Sequence, residues 1–139
     1  MNAENPLEKS CSMQSGEMMS EYCSARVWQL KAGASAAELE TLATSGVAEM
    51  YRWIPGITQL SLVRLAHKPE TRYLMLATFT DYQAYITWRR IEEEGPDYWE
   101  RFASVFMHWE QLARLVEEYN GDSISLMELD RHEQAGTIT

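Results

Sequence analysis

Cysteine is almost absent: the 139 residues contain two, Cys11 and Cys23, both towards the N-terminus. They form no C-x-x-C, have no His or Cys cluster beside them and have no adjacent basic residue, which excludes a disulfide scaffold and a cysteine zinc site and leaves two free thiols. Glycine (seven) and proline (four) are scarce, so collagen-like and low-complexity classes are excluded as well. No stretch approaches the roughly 18 apolar residues that would span a bilayer, and no basic patch with an apolar run opens the chain. The expectation is a soluble, cytoplasmic protein with no membrane partner. Positive charge is also short: 12 Lys and Arg stand against 21 Asp and Glu, a net charge of -9. Such a surface repels phosphate backbones, so nucleic acid is not an expected partner. H-E-x-x-H, E-x-x-H and EF-hand spacings are missing, as are a Gly-rich phosphate loop, a G-x-S-x-G elbow and a Ser-His-Asp order. No metal site, phosphoryl transfer or serine hydrolysis is expected.

What is present is a core. Hydrophobic residues make up 45% of a chain of one-domain length, with five Trp, seven Tyr and three Phe. Residues 1–21 are rich in Ser, Glu, Met and Asn without a sustained period and read as a flexible arm, with 131–139 as a polar tail. The domain is expected over 22–130. Alternation over 22–30 predicts a first strand. Ser35 with Glu38 forms an S-x-x-E capping box ahead of Leu39, Leu42, Ala43, Val47, Met50 and Ile54, an apolar helix face running to about Trp53. Pro55-Gly56 is a turn, 57–66 a second strand, and 73–80 a nearly all-apolar third strand. Thr80 with Gln83 repeats the box before a helix bearing Tyr82, Tyr85, Ile86 and Trp88. Gly95-Pro96 interrupts that helix, and Pro96 suits the first turn of its successor. The successor carries Trp99, Phe102, Phe106, Trp109, Ala113 and Val116 at steps of three and four and is expected to end near Tyr119, leaving 122–129 as a fourth strand. Strand, helix, strand, strand, helix pair, strand is the split βαβ plan of an α+β ferredoxin-like domain, a four-stranded antiparallel sheet with helices on one face. Its other face needs cover, which predicts a face-to-face homodimer.

This order over about 25–129, and above all YLMLATFTDYQAYITW at 73–88, resembles the dimeric α+β barrel superfamily and within it the antibiotic-biosynthesis-monooxygenase-like proteins. The resemblance implies a helix-to-sheet cavity, with Trp88 matching the helix Trp that lines it in the monooxygenase and haem-degrading branches. His108 resembles the haem-ligating helix His of the latter branch, and Gln29 stands where that branch has an Asn on the first strand.

The residues themselves suggest chemistry and also plainer roles. His108, in an otherwise apolar helix stretch, is either a core-boundary residue or a general base able to take a phenolic or enolic proton. Arg64, in mid-strand, is either solvated or an anion holder. The aromatic set Trp28, Tyr51, Trp53, Tyr73, Tyr85, Trp88, Trp99 and Trp109 is core by helical spacing, yet offers stacking walls to a flat ligand. Glu92, Glu93, Glu94, Asp97 and Glu100 read as a solvated face paired with Arg89 and Arg90. The leading expectation is a cofactor-independent monooxygenase acting on a small aromatic or quinone-like molecule. His108 and Arg64 are its catalytic residues, and Trp88, Tyr85, Trp109 and Gln29 its substrate contacts. The alternatives are a haem-binding protein through His108, or a catalytically silent dimer that binds a ligand or another protein.

Overall fold

The computed structural model describes residues 20–66 and 69–127. Most of the arm over 1–21, Cys11, His67, Lys68, His132 and the tail over 131–139 lie outside them. Strand β1 spans Tyr22–Leu30. It is followed by helix α1 (Ala36–Leu42), a π-helical turn (Ala43–Val47) and helix α2 (Ala48–Arg52) in one continuous run. Strands β2 (Ile57–Leu65) and β3 (Arg72–Phe79) form a hairpin, helices α3 (Tyr82–Glu94) and α4 (Pro96–Leu112) follow, and β4 (Ala113–Asp122) completes an antiparallel sheet of order β2-β3-β1-β4. This is the ferredoxin-like α+β fold, with the helices packed on one sheet face.

Local chemistry explains the element ends. Ser35 accepts the Glu38 N–H at 3.1 Å and starts α1. Inside the π turn the hydroxyls of Thr44 and Ser45 both donate to the Thr41 carbonyl, at 3.0 and 2.8 Å. They compete there with the backbone ladder, and the turn widens. The cap of α3 is Asp81 rather than Thr80: its Oδ1 accepts the Ala84 N–H at 2.8 Å, so the Thr80–Gln83 box does not form. Pro96 opens α4 as expected, with Gly95 as its cap.

The last strand corrects the sequence expectation. Helix α4 stops at Leu112, and Ala113 is already extended at φ -146 and ψ 157. Ala113 and Val116 continue the apolar spacing of α4, but the free edge of β1 captures this segment along its whole length. The Lys31 N–H seals the junction on the Leu112 carbonyl at 2.8 Å. The fourth strand therefore ends at Asp122 instead of beginning there; residues 123–127 are not strand, and 128–129 lie outside the described residues.

A β-bulge between Val27 and Trp28 in the β1–β4 pairing determines what faces inward. Leu115 and Glu118 are three apart and would point to opposite faces of a regular strand. The extra residue puts Leu115 beside Trp28 and Glu118 beside Arg26, on the helix-covered face. The core between helices and sheet contains Leu39, Tyr51, Tyr73, Phe79, Trp88, Tyr98, Phe102 and Trp109. The opposite face has no cover among the described residues. It carries Ala25 and Val27 opposite Leu76 and Leu74, flanked by Val63, 47% exposed, and Tyr119, 61% exposed.

Gly56 closes the turn before β2 at φ +88, and a Cβ there would sit 2.6 Å from the Ala84 Cβ. Gly33 has a similar φ of +82 with nothing within 4 Å. Gly56→Ala is expected to lower the denaturation midpoint clearly more than Gly33→Ala, which carries only the backbone strain of about 1 kcal/mol. Equal losses would mean that the turn does not pack on α3.

Candidate functional site

Arg26 projects from the middle of β1 into the helix–sheet interface, between its neighbours Ser24 and Trp28 on the same face. Its side chain is only 14% exposed. The guanidinium stacks on Trp88, 4.9 Å from the ring centroid, and its Nε donates to Glu118 Oε2 at 3.2 Å. Nη2 stands 3.6 Å from Glu92 Oε1, a looser ion pair. Burial works against the charged guanidinium. The Tyr51 oxygen and the Glu92 and Glu118 carboxylates outweigh it and raise the pKa, so Arg26 remains a cation.

Two phenols share this interior. Burial, with the Glu92 and Glu118 carboxylates nearby and against the pull of Arg26, pushes Tyr51 up to about 12. Tyr98 is raised as well, by burial first and then by Tyr51. Both are neutral O–H groups at physiological pH. Among the described residues, the indole N–H of Trp28 is buried without a hydrogen-bond partner, and that of Trp88 faces the Tyr98 oxygen without closing a bond. A buried donor with nothing to donate to is costly, and one in a cavity wall is available to an incoming acceptor.

Three neighbouring spaces share lining residues around these groups. An inner cavity of about 30 Å³ is lined by Arg26, Trp28, Tyr51, Tyr98, Glu92 and Trp109 among others, enough for a single water-sized group. Arg26, Trp28, Glu92 and Phe106 also line a groove of about 680 Å³ on the β4 side, with Trp99 on its wall. Val47 and Met75 are shared with a second groove, about 530 Å³, on the β2 side. The π turn opens onto that second groove through Ala43, Thr44 and Val47. There Glu40 Oε2 accepts the Tyr73 O–H at 2.6 Å and Arg64 Nε at 2.8 Å, and Arg64 Nη2 also reaches it. These bonds, Tyr73 first, hold Glu40 below the usual carboxylate range.

Of the residues singled out in the sequence, Trp109 lines the inner cavity and Arg64 the β2-side groove, where its guanidinium is taken up by Glu40. Trp88 and Tyr85 pack behind the cavity, against Phe79 and each other. Gln29 stands on the uncovered sheet face, accepting Arg72 Nε at 3.1 Å. His108 is on the flank of α4, its Nε2 2.7 Å from Glu38 Oε2, and lines none of these three spaces. Glu38 thus leaves the capping box to hold the imidazole. A haem iron would need that nitrogen free and facing a cavity, so the surroundings of His108 do not fit a haem ligand. Arg26 and Tyr98 were not singled out as site residues, and Glu92, expected on a solvated acidic face, instead has a side chain only 18% exposed and lines the inner cavity. The available signal was an arginine on the same face of the strand as Trp28. Among the described residues, no group of three or more His, Cys, Asp or Glu is arranged to hold a metal ion.

No family model matches the chain, and no curated protein matches it in sequence. Solved structures do share its fold. SnoaB, a cofactor-independent oxygenase from Streptomyces nogalater, aligns with a TM-score of 0.59 at 21% identity over 78% of this chain and 99% of its own. The ActVA-Orf6 monooxygenase of Streptomyces coelicolor, in complex with nanaomycin D, aligns at 0.54 and 21% identity over 80% and 94%. A dimeric ferredoxin-like protein from an uncultured marine organism aligns at 0.53 and 10% identity, also over 80% and 94%. The chain therefore has the ferredoxin-like fold on which antibiotic biosynthesis monooxygenases are built.

Removing the Arg26 charge leaves Glu92 and Glu118 facing a low-dielectric interior. Arg26→Met is expected to lower unfolding free energy by about 2–4 kcal/mol, and Arg26→Lys by clearly less. Chemical denaturation checks this, and a neutral Arg26→Met would remove Arg26 from the centre of the interface.

Proposed function

We propose that this protein is a homodimeric, cofactor-independent oxygenase that converts a small hydroxylated aromatic into a quinone, with the aromatic ring in the β4-side groove and one oxygen reaching the inner cavity. The observation that carries the reading is the donor set around one water-sized space: the Arg26 cation, the neutral Tyr51 and Tyr98 phenols, and the unpartnered Trp28 N–H. Such a set favours an oxygen that gains negative charge during the reaction. Trp28, Trp99 and Phe106 give a flat ring its contact surfaces. The fold shared with SnoaB and ActVA-Orf6 supports the same class.

The chemistry needs only ionisation and dioxygen. A hydroxyarene that has lost its hydroxyl proton is an electron-rich anion whose ring carbon can pass an electron to dioxygen. Coupling then gives a hydroperoxide, and loss of water leaves the quinone: hydroxyarene plus dioxygen yields quinone plus water. Arg26 holds the anion, and the tyrosines donate to its oxygen. The enclosure limits bulk water.

With a hydroxynaphthalene and no added cofactor, one dioxygen is expected to be consumed per quinone formed. ¹⁸O₂ is expected to place one labelled oxygen in the product. Arg26→Lys, which keeps the charge but loses the planar fork, is expected to reduce kcat by about 10- to 100-fold. An oxygen-uptake rate equal to the protein-free control contradicts the reading, and binding without uptake favours a silent ligand-binding module.

The homodimer rests on the uncovered face centred on Val27, Leu74, Leu76 and Val63, with a second copy as its occupant. Sedimentation at micromolar concentration is expected to give a dimer, and Leu76→Glu to give a monomer. A monomeric native protein contradicts this.

A further inference from the structure

We infer that Glu92 is the proton acceptor of the site, and that Arg26 exchanges Glu92 for the ionised substrate in the same step. The inference rests on the oxygenase reading above and assigns the residue that generates its anion.

Position favours Glu92. Glu92 lines both the inner cavity and the β4-side groove, so it stands where a ring in the groove would direct a hydroxyl inward. Glu93 and Glu110 line the groove alone, and His108 is held at the surface by Glu38. The tyrosines cannot serve, because their environment keeps them protonated and therefore donors. The α3–α4 junction fixes Glu92: the Trp99 indole donates to its backbone carbonyl, and Gly95 ends the helix three residues on.

Charge favours it as well. Arg26 has two carboxylate partners that differ. Glu118 accepts a hydrogen bond from its Nε at 3.2 Å, whereas Glu92 approaches no nearer than 3.6 Å to Nη2 and 3.8 Å to Arg89 Nε. Glu118 can tether the guanidinium while Glu92 lets go. The substrate O–H bond breaks, its proton passes to a Glu92 carboxylate oxygen, and the electron pair stays on the substrate oxygen. Glu92 becomes neutral as the substrate becomes an anion, and Arg26 pairs with the new charge in place of the old. Net charge inside the interface is unchanged throughout, which removes the main electrostatic barrier to ionisation in a low-dielectric site.

The test is anaerobic binding of a hydroxynaphthalene at neutral pH, where the free compound is un-ionised and its naphtholate is distinguished by red-shifted absorption. The wild type is expected to bind it with the naphtholate spectrum. Glu92→Gln is expected to bind the neutral form with affinity within about threefold, and to lose turnover by about 100-fold or more, the scale of a general base. Glu92→Asp keeps the carboxylate and is expected to recover part of the ionisation. A naphtholate spectrum with Glu92→Gln, in a variant whose melting temperature shows that it is folded, overturns the assignment. If the wild type ionises the ligand but consumes no dioxygen, Glu92 stands as the base and the oxygenase reading fails. If the wild type binds no hydroxynaphthalene, both fail together.

Discussion

Burying the Arg26 guanidinium between helices and sheet is the interaction around which the rest of this structure is arranged. A charge withdrawn from water costs several kcal/mol, and it survives only where partners replace the lost hydration. Its partners come from three different elements: Glu118 from β4 through a β-bulge, Glu92 from the last turn of α3 and Trp88 from its middle, and Tyr51 from α2. Without the bulge, Glu118 would not face the guanidinium. Without the Gly95 break, α3 would not end beside Trp99, whose indole holds the Glu92 backbone. A core designed only for stability would use an aliphatic residue at position 26.

The arrangement also links stability to chemistry. The same cation that is costly to bury acts on any oxygen that enters, and the same low dielectric that keeps Tyr51 and Tyr98 protonated makes them donors. Two grooves share walls with the inner space, one through Trp28 and Phe106 and the other through Val47 and Met75. Within the π turn Thr44 and Val47 line the second groove, and Val47, with Met50 and Tyr51 of α2, also lines the inner cavity.

Much of the fold was legible in the sequence because periodicity and punctuation agreed. The first three strands, the Ser35 cap and the Gly95-Pro96 break lie where apolar spacing and turn chemistry put them. The fourth strand was misplaced for a specific reason: Ala113 and Val116 extend the helical stripe of Trp109, and only pairing with β1, a long-range event, overrides it. The site was less legible. Trp109 was found through the aromatic stripe. His108 was drawn to the cavity by its apolar neighbours, yet it lies one residue, about 100° of helix rotation, from the buried Trp109 and meets Glu38 instead. Arg26 was passed over because a charged residue in a strand is ordinarily solvated, whereas Gln29, expected as a substrate contact, faces away because a one-residue step along β1 moves a side chain to the other face.

The account stands on the inner cavity being where a ligand oxygen is received. The most direct measurement is a ¹⁵N–¹H NMR titration with a hydroxynaphthalene, following the five Trp indole signals and the Arg Nε signals under anaerobic conditions. The account predicts that Trp28 Nε1 and Arg26 Nε shift together and saturate with the ligand, while the Trp53 indole, which lines neither the inner cavity nor the two grooves, stays in place. Shifts centred on Trp53 or on the His108 ring, with Trp28 and Arg26 unmoved, would contradict it.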